Sequence, residues 1–99
     1  MTPQQAANEI DAHIQKCGGG YPGWYVGIAA DPRNRLFAAH NVSEKNGTWI
    51  FRDAGSEQGA RAVEDHFIAQ GCKGCPGGGD GDTKCVYAYR ITSTTREVA

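Results

Sequence analysis

The chain has no apolar segment long enough to cross a membrane and no excess of charge of either sign. No apolar run approaches the roughly 18 residues that a spanning helix needs. The opening residues, MTPQQAANEIDAH, lack the charged start and apolar stretch of a signal peptide. The 10 Lys and Arg against 11 Asp and Glu exclude a domain held on nucleic acid by bulk positive charge, although a local basic patch stays open. We expect a soluble, cytoplasmic protein with no membrane partner.

At 99 residues, the chain is too short to hold a substrate domain beside a cofactor domain. A chain of this size buries roughly 60–70% of the surface that it exposes when unfolded, which is enough for one modest core. We expect one domain over residues 1–99, in which the polar tail 92–99 frays. The 14 glycines are clustered and not periodic, which excludes collagen and repeat proteins.

Periodicity and turn residues predict three helices alternating with three strands. The first predicted helix opens at Thr2-Pro3 and is stopped by the segment from Cys17 to Gly20; the other two run over about Pro32–His40 and from Ser56 to about Gln70. The predicted strands are Trp24–Ala29, Thr48–Phe51 and Cys85–Ile91. Alternation favours a parallel sheet, but with few strands and short connections an antiparallel or mixed sheet fits as well. The expected fold is a small α/β or α+β domain, in which helices cover at least one face of a three-stranded sheet.

Glu64 stands on the apolar stripe of the third predicted helix. At about 100° per residue, the helix places Ala60, Val63, Phe67 and Ile68 on one arc, and Glu64 falls inside it. A buried carboxylate is costly unless it finds a cation, a metal ion or hydrogen bonds. Glu64 therefore either pairs with an arginine at the edge of the core or points into a functional site.

The short second helix carries two further candidates. Arg35 either covers apolar neighbours with its stem or offers its guanidinium to a phosphate. His40 either satisfies carbonyls at the helix end or acts as a general base or as a polariser of a tyrosine. Arg33, Arg52 and Arg61 are candidates for a positive pocket despite the near-neutral total charge.

The string YVGIAADPRNRL, from Tyr25 to Leu36, resembles the second motif of the GIY-YIG nuclease superfamily. That motif is a Tyr-(Ile/Val)-Gly strand followed, ten residues after the Tyr, by an Arg on the next helix, as Arg35 follows Tyr25. His40 closes the helix as in many members, and Glu64 matches the family's metal-binding Glu on a later helix. The resemblance covers about Trp24 to Gln70.

The family's opening Gly-Ile-Tyr strand is missing upstream of Tyr25, where this chain has a helix and glycines. The string CVYAY, from Cys85 to Tyr89, is similar to that strand with Cys in place of Gly. The resemblance therefore implies a circular permutation that moves the strand from the front of the domain to its end. The third strand then lies beside the first, and Tyr87 faces Tyr25.

The resemblance implies a metal-dependent phosphodiesterase or nuclease that acts on nucleic acid. Tyr25, Tyr87, Arg35 and His40 are then catalytic: a tyrosine helps to activate the nucleophile, and the arginine stabilises charge on the phosphate. Glu64 then holds a divalent metal, Mg²⁺ or Mn²⁺, and Mg²⁺ suits a single carboxylate because it keeps several waters. Arg33 is a candidate for substrate binding.

A catalytically inactive binding or interaction module of the same fold is the alternative. The opening motif is not in its usual place, the net charge is −1, and no DNA-binding module is appended. A fold can also persist after its site is lost.

The four cysteines offer a third possibility, a small zinc- or thiol-containing regulatory domain. Cys72 and Cys75 have CxxC spacing, and Cys17 and Cys85 are candidates to complete four zinc ligands. A redox pair and ordinary thiols are the alternatives, and without a signal peptide we expect no disulfide.

The glycine-rich loop over residues 76–82 matches no phosphate-binding loop, because no Gly-Lys-Ser/Thr follows it. It is either a flexible connection or a segment whose backbone approaches a ligand closely. In the second case Gly78 and Gly79 are candidates for substrate binding.

Overall fold

The computed structural model describes residues 2–74 and 82–97. The elements are α1 (Pro3–Cys17), a 3₁₀ turn (Tyr21–Gly23), β1 (Trp24–Ala29), α2 (Pro32–Asn34), a π-helix (Arg35–Ala39), β2 (Trp49–Asp53), α3 (Glu57–Gln70) and β3 (Cys85–Arg90). The expected α+β class with a three-stranded sheet is confirmed. Within these ranges, every helix is too short or too polar to span a bilayer.

The long helices begin and end at the residues that the sequence indicates. The Thr2 hydroxyl accepts a hydrogen bond from the Gln5 N–H at 3.1 Å, and the Gln5 side chain accepts one from the Thr2 N–H at 2.9 Å, which forms a capping box. Ser56 caps α3 by accepting from the Gly59 N–H at 3.0 Å. Gly71, at φ +120°, ends α3 in a conformation that favours glycine.

The sheet is antiparallel, and its order is β1-β3-β2. The last strand is thus the central one, with β1 and β2 on either side. In the register, Tyr25 lies opposite Tyr89, and Tyr87 lies opposite both Gly27 and Phe51. β3 is therefore the neighbour of β1, which is the adjacency that a moved strand requires.

Side chains alternate between the two faces of this sheet, and each face has its own apolar cluster. The helix face packs against α1 and α3, and its strand residues are Trp24, Val26, Ile28, Ile50, Val86 and Ala88. The tyrosine face packs against α2 and the π-helix, and its buried residues include Tyr25, Ala29, Leu36, Val42, Tyr87 and Tyr89.

The outer edge of β1 is covered by the segment that follows α3. The Lys73 N–H donates to the Trp24 carbonyl at 2.8 Å, and the Lys73 carbonyl accepts from the Val26 N–H at 2.9 Å. The glycine-rich loop comes directly after this segment. Its candidates Gly78 and Gly79 lie outside the described residues.

The polar tail, for which the sequence predicts fraying, makes hydrogen bonds up to Arg96. The Arg96 N–H donates to the His40 carbonyl at 2.7 Å, and the Asn41 side chain donates to the Thr94 carbonyl at 2.9 Å. Asn41 has φ +57°, a left-handed conformation that asparagine tolerates better than most residues. The tail is thereby attached to the end of the π-helix.

Gly27 is required by its neighbour across the sheet. A Cβ at this position would overlap the hydroxyl and ring of Tyr87. We expect Gly27→Ala to lower the free energy of unfolding by about 1–3 kcal/mol, because the ring must shift in a packed layer. Gly23→Ala is the matched control, since nothing lies within 4 Å of a Cβ there. Urea denaturation of both variants measures the difference, and equal stabilities would contradict the tight Gly27–Tyr87 contact.

Candidate functional site

Four rings are buried together on the tyrosine face. Tyr25, Tyr87, Tyr89 and His40 are only 4, 2, 0 and 0% exposed. The rings of Tyr25 and Tyr89 stack with their centroids 5.2 Å apart, and the His40 ring lies 4.7 Å from that of Tyr25. We call these four side chains the Tyr–His cluster.

The π-helix brings His40 to this cluster. The His40 N–H donates to the Arg35 carbonyl at 2.9 Å, which closes a turn from residue i to residue i+5. In an α-helix, side chains five positions apart diverge by about 140°. The wider π turn rotates them closer together, so that Arg35 and His40 both act on Tyr87.

The tail sets which nitrogen of His40 carries the proton. His40 Nδ1 lies 2.6 Å from the Arg96 carbonyl, and since a carbonyl can only accept, Nδ1 is the protonated nitrogen. Nε2 of the neutral ring is then an acceptor, and the Tyr87 hydroxyl donates to it at 2.7 Å. Burial lowers the pKa of His40 below its usual 6.5; the Arg96 carbonyl raises it, and the Arg35 charge lowers it further. His40 is therefore a neutral base near pH 7.

Tyr87 rests as a phenol and not as a phenolate. Burial raises its pKa above 10.0, whereas a hydrogen bond from Arg35 and the charge of Arg35 act in the opposite direction. The negative charge of Glu64 adds a smaller upward contribution. The Arg35 cation therefore assists ionisation of Tyr87 but does not outweigh burial. Proton loss from Tyr87 depends on the base that its hydroxyl already contacts.

Glu64 faces the interior and not solvent. It is only 2% exposed, and burial raises its pKa to about 7; the charge of Asp65 raises it as well, and that of Arg61 lowers it. Arg61 itself pairs with Glu57 at 3.4 Å, and within the described ranges no arginine forms a salt bridge with Glu64. The expectation of a simple arginine pair at the core edge is therefore not met. That Glu64 serves a functional site stays a prediction.

Arg33, Arg52 and Arg61 do not join Arg35 in one positive pocket at the Tyr–His cluster. Arg33, Arg52 and Arg61 each form a separate salt bridge, with Glu44, Glu9 and Glu57 respectively. Arg33 lies over aromatic side chains beside β2 and does not join Arg35 at Tyr87. Only Arg35 acts on the Tyr–His cluster, because the four arginines lie on different elements that face different ways.

A resident metal would depend on few protein ligands. Across residues 2–74 and 82–97, no three His, Cys, Asp or Glu side chains come together as a metal site. Glu64 alone suits an ion such as Mg²⁺, which keeps several waters and takes further oxygens from a substrate phosphate. A metal ion held at Glu64 would therefore take its remaining oxygens from water or substrate.

The proposed set of four zinc ligands does not assemble. Cys85 lies on the tyrosine face with Tyr87, whereas Cys17 and Cys72 belong to the cluster on the helix face. The sheet therefore separates Cys85 from the other two, and Cys75 lies outside the described residues. Burial raises the pKa of Cys72 to about 11, which disfavours the thiolate that a metal needs. Cys17, Cys72 and Cys85 are free thiols.

Sequence reasoning missed three parts of this site. Tyr89 donates to the Arg96 carbonyl at 2.9 Å, Arg96 orients His40 through its backbone, and Gly27 makes room for the Tyr87 ring. Only the third leaves a trace in the sequence, as the glycine of the Tyr-Val-Gly string. Any residue can supply a backbone carbonyl, so the role of Arg96 leaves no pattern in the sequence.

Comparisons with family models, with curated proteins and with solved structures find no match. The functional interpretation therefore depends on the geometry described above and on the resemblance of the motifs around Tyr25 and Tyr87.

Burial of Glu64 has a consequence for stability. Its pKa of about 7 lies above the ordinary 4.5, so the folded state binds this proton more tightly than the unfolded state does. The stabilisation is fully present below about pH 4.5 and is lost as the pH rises through about 7.

We expect Glu64→Gln, which never ionises, to gain Tm relative to the parent protein as the pH is raised from about 5 to about 8. Glu44→Gln, at a carboxylate whose side chain is 58% exposed, is the matched control and should show no such trend. Thermal unfolding across this pH range measures both variants. A constant Tm difference for Glu64→Gln would contradict the elevated pKa.

Proposed function

We propose that this chain is a metal-dependent phosphodiesterase that cleaves nucleic acid in the cytoplasm and uses Tyr87 and His40 to activate water. The observation that carries this proposal is the 2.7 Å hydrogen bond from the Tyr87 hydroxyl to His40 Nε2, in a ring whose other nitrogen donates to the Arg96 carbonyl. A purely structural histidine needs only satisfied nitrogens. Here the lone pair of His40 Nε2 accepts a hydrogen bond from the Tyr87 hydroxyl, through the one proton that a catalytic tyrosine must lose.

The proton moves in two linked transfers. As water attacks phosphorus, its proton passes to the Tyr87 oxygen while the Tyr87 proton passes to His40 Nε2. The imidazolium that forms keeps its Nδ1–H on the Arg96 carbonyl, which favours the charged form. This coupling removes the need for a free phenolate, whose formation burial opposes. The proton then returns from His40 Nε2 to the Tyr87 oxygen, and Tyr87 passes a proton to the leaving oxygen or to solvent.

Arg35 and Glu64 are the two charged side chains that act electrostatically on Tyr87. The half-buried Arg35 is close enough to hydrogen-bond the Tyr87 hydroxyl, and its guanidinium suits the developing charge of a phosphate beside that hydroxyl. Glu64 is the carboxylate that would hold Mg²⁺ or Mn²⁺, and such an ion offsets charge on the phosphate oxygens. Within the cluster, the Tyr25 ring stacks on that of Tyr89 and lies against the His40 ring, which keeps His40 in place.

The inactive binding module is favoured by one observation. Tyr25, Tyr87 and His40 are almost fully buried, so little of the reacting surface is open to a substrate. A cluster with satisfied hydrogen bonds can also serve to hold the tail against the sheet. The two functions differ in whether the Tyr87 hydroxyl affects any reaction rate.

We expect Tyr87→Phe to lower the cleavage rate of a labelled oligonucleotide in Mg²⁺ or Mn²⁺ by a factor of about 10² or more, because the proton path is lost. Lys16→Gln, which removes an exposed cation at the end of α1, is the control and should cleave as the parent does. An unchanged cleavage rate in Tyr87→Phe would show that the Tyr87 hydroxyl takes no part in the reaction. An absence of cleavage with every divalent metal would place the binding module first.

The acid limb of the pH profile should report His40. Since the pKa of His40 lies below 6.5, we expect a limb of kcat/KM at a pH below 6.5, distinct from the limb that ionisation of Glu64 would give near pH 7. His40→Gln should lose the lower limb together with most of the activity, and Glu64→Gln should lose the upper one. If the limb below 6.5 survives in His40→Gln, another group is the proton acceptor.

A further inference from the structure

The outer edge of β2 is lined by a groove of about 290 Å³. Among the described residues, β2 pairs only with β3, so its other edge faces outward. The groove is lined by His13, Arg33, Trp49, Ile50, Phe51 and Arg52. This lining combines aromatic rings with cationic side chains and contains no carboxylate.

The aromatic part of the groove lies at the protein surface. The Trp49 and Phe51 rings are nearly parallel, at 7°, with centroids 6.0 Å apart, and both side chains are only partly buried. Phe37 supports Trp49 from behind in an edge-to-face contact at 5.0 Å. By contrast, Trp24 is 0% exposed within the core. Partly exposed rings of this kind are platforms on which a planar ligand can stack.

The cationic part of the groove is held by weak surface pairs. The Arg33 guanidinium lies 5.7 to 5.8 Å from the centroids of the Phe37, Trp49 and Phe51 rings and pairs with Glu44 at 2.9 Å. Arg52 pairs with Glu9 at 2.6 Å. These four side chains are 38 to 58% exposed, and such pairs contribute little to stability. A phosphate can therefore replace either carboxylate at small cost.

The geometry of the edge argues against an added peptide strand. Hydrogen bonds from Arg90 N–H to the Thr48 carbonyl and from Ala54 N–H to the Lys84 carbonyl turn the even-numbered residues of β2 towards β3. The Phe51 carbonyl therefore points outward, where Arg52 Nη1 donates to it at 2.7 Å. The central acceptor that a new strand needs is already occupied, which is a known way to blunt a sheet edge.

We propose that this groove binds single-stranded nucleic acid, with unpaired bases stacked on Trp49 and Phe51 and backbone phosphates at Arg33 and Arg52. The inference rests on the proposed function and names its substrate class. Phe51 is the register partner of Tyr87 on the same face, so the groove borders the strand that carries the Tyr–His cluster. Stacking requires unpaired bases, so a duplex is a poor ligand.

The test compares a labelled single-stranded oligonucleotide with the duplex of the same sequence, in binding titrations without metal. The single strand is expected to bind more tightly and to quench the tryptophan emission in part, through Trp49, because the buried Trp24 is out of reach of the ligand. Trp49→Leu should weaken single-strand binding by about 5- to 150-fold, the usual effect of losing one stacked base. Trp49→Phe keeps a ring and should retain most of the affinity, which separates stacking from misfolding.

The phosphate contacts are tested by salt dependence. Arg52→Gln should reduce the slope of log K against log salt by about 0.7, whereas Arg61→Gln, also a paired surface arginine, should leave it unchanged. Equal affinity for duplex and single strand, or unchanged binding by Trp49→Leu, would overturn the proposal. The proposal would also be overturned if the oligonucleotide competes with dimerisation through β2 or with the binding of a peptide at this edge.

Failure of this inference can be told apart from failure of the proposed function. Tyr87→Phe should bind the single strand as the parent does, because the hydroxyl lies outside the groove. Binding of the single strand without any cleavage would support the proposed groove and contradict the proposed phosphodiesterase activity. If Trp49→Leu cleaves with the same KM as the parent protein, the phosphodiesterase activity is supported and the proposed groove is contradicted.

Discussion

A fully buried histidine joins parts of the chain that are far apart in sequence. Because a ring with no exposed surface must satisfy both nitrogens inside the protein, His40 fixes the positions of its partners, Tyr87 on β3 and the Arg96 carbonyl in the tail. Among the described residues, no buried side-chain nitrogen or oxygen lacks a partner. The π turn, the central strand and the tail therefore depend on one another through a single imidazole.

The same constraint separates the two sides of the sheet by chemistry. The helix face is an ordinary apolar core in which α1 and α3 cover the strands. The tyrosine face is covered by only a short helix, so hydroxyl groups and a histidine take the place that a long apolar helix would fill. A polar network in such a layer is rigid when fully satisfied. This rigidity is what a proton path requires.

Much of this arrangement could be predicted from local sequence, and the rest could not. Periodicity and turn residues marked the ends of α1 and α3, and the motif resemblance placed the third strand beside the first. The expected continuous helix up to His40 is instead a single α turn followed by a π-helix, in which the His40 N–H donates to the Arg35 carbonyl. The gathering of all four arginines and the four-cysteine site failed for a common reason. Sequence spacing does not say on which side of a sheet a residue lies.

The position of β3 in the chain has a consequence for biosynthesis. β1 and β2 do not pair with each other, and both wait for a strand that is made after them. During synthesis, β1 and β2 therefore lack their shared strand partner until Cys85–Arg90 has been made. The long-range pairings of this sheet favour slow folding. In that interval the unpaired strands are the surfaces that a chaperone would have to shield from aggregation.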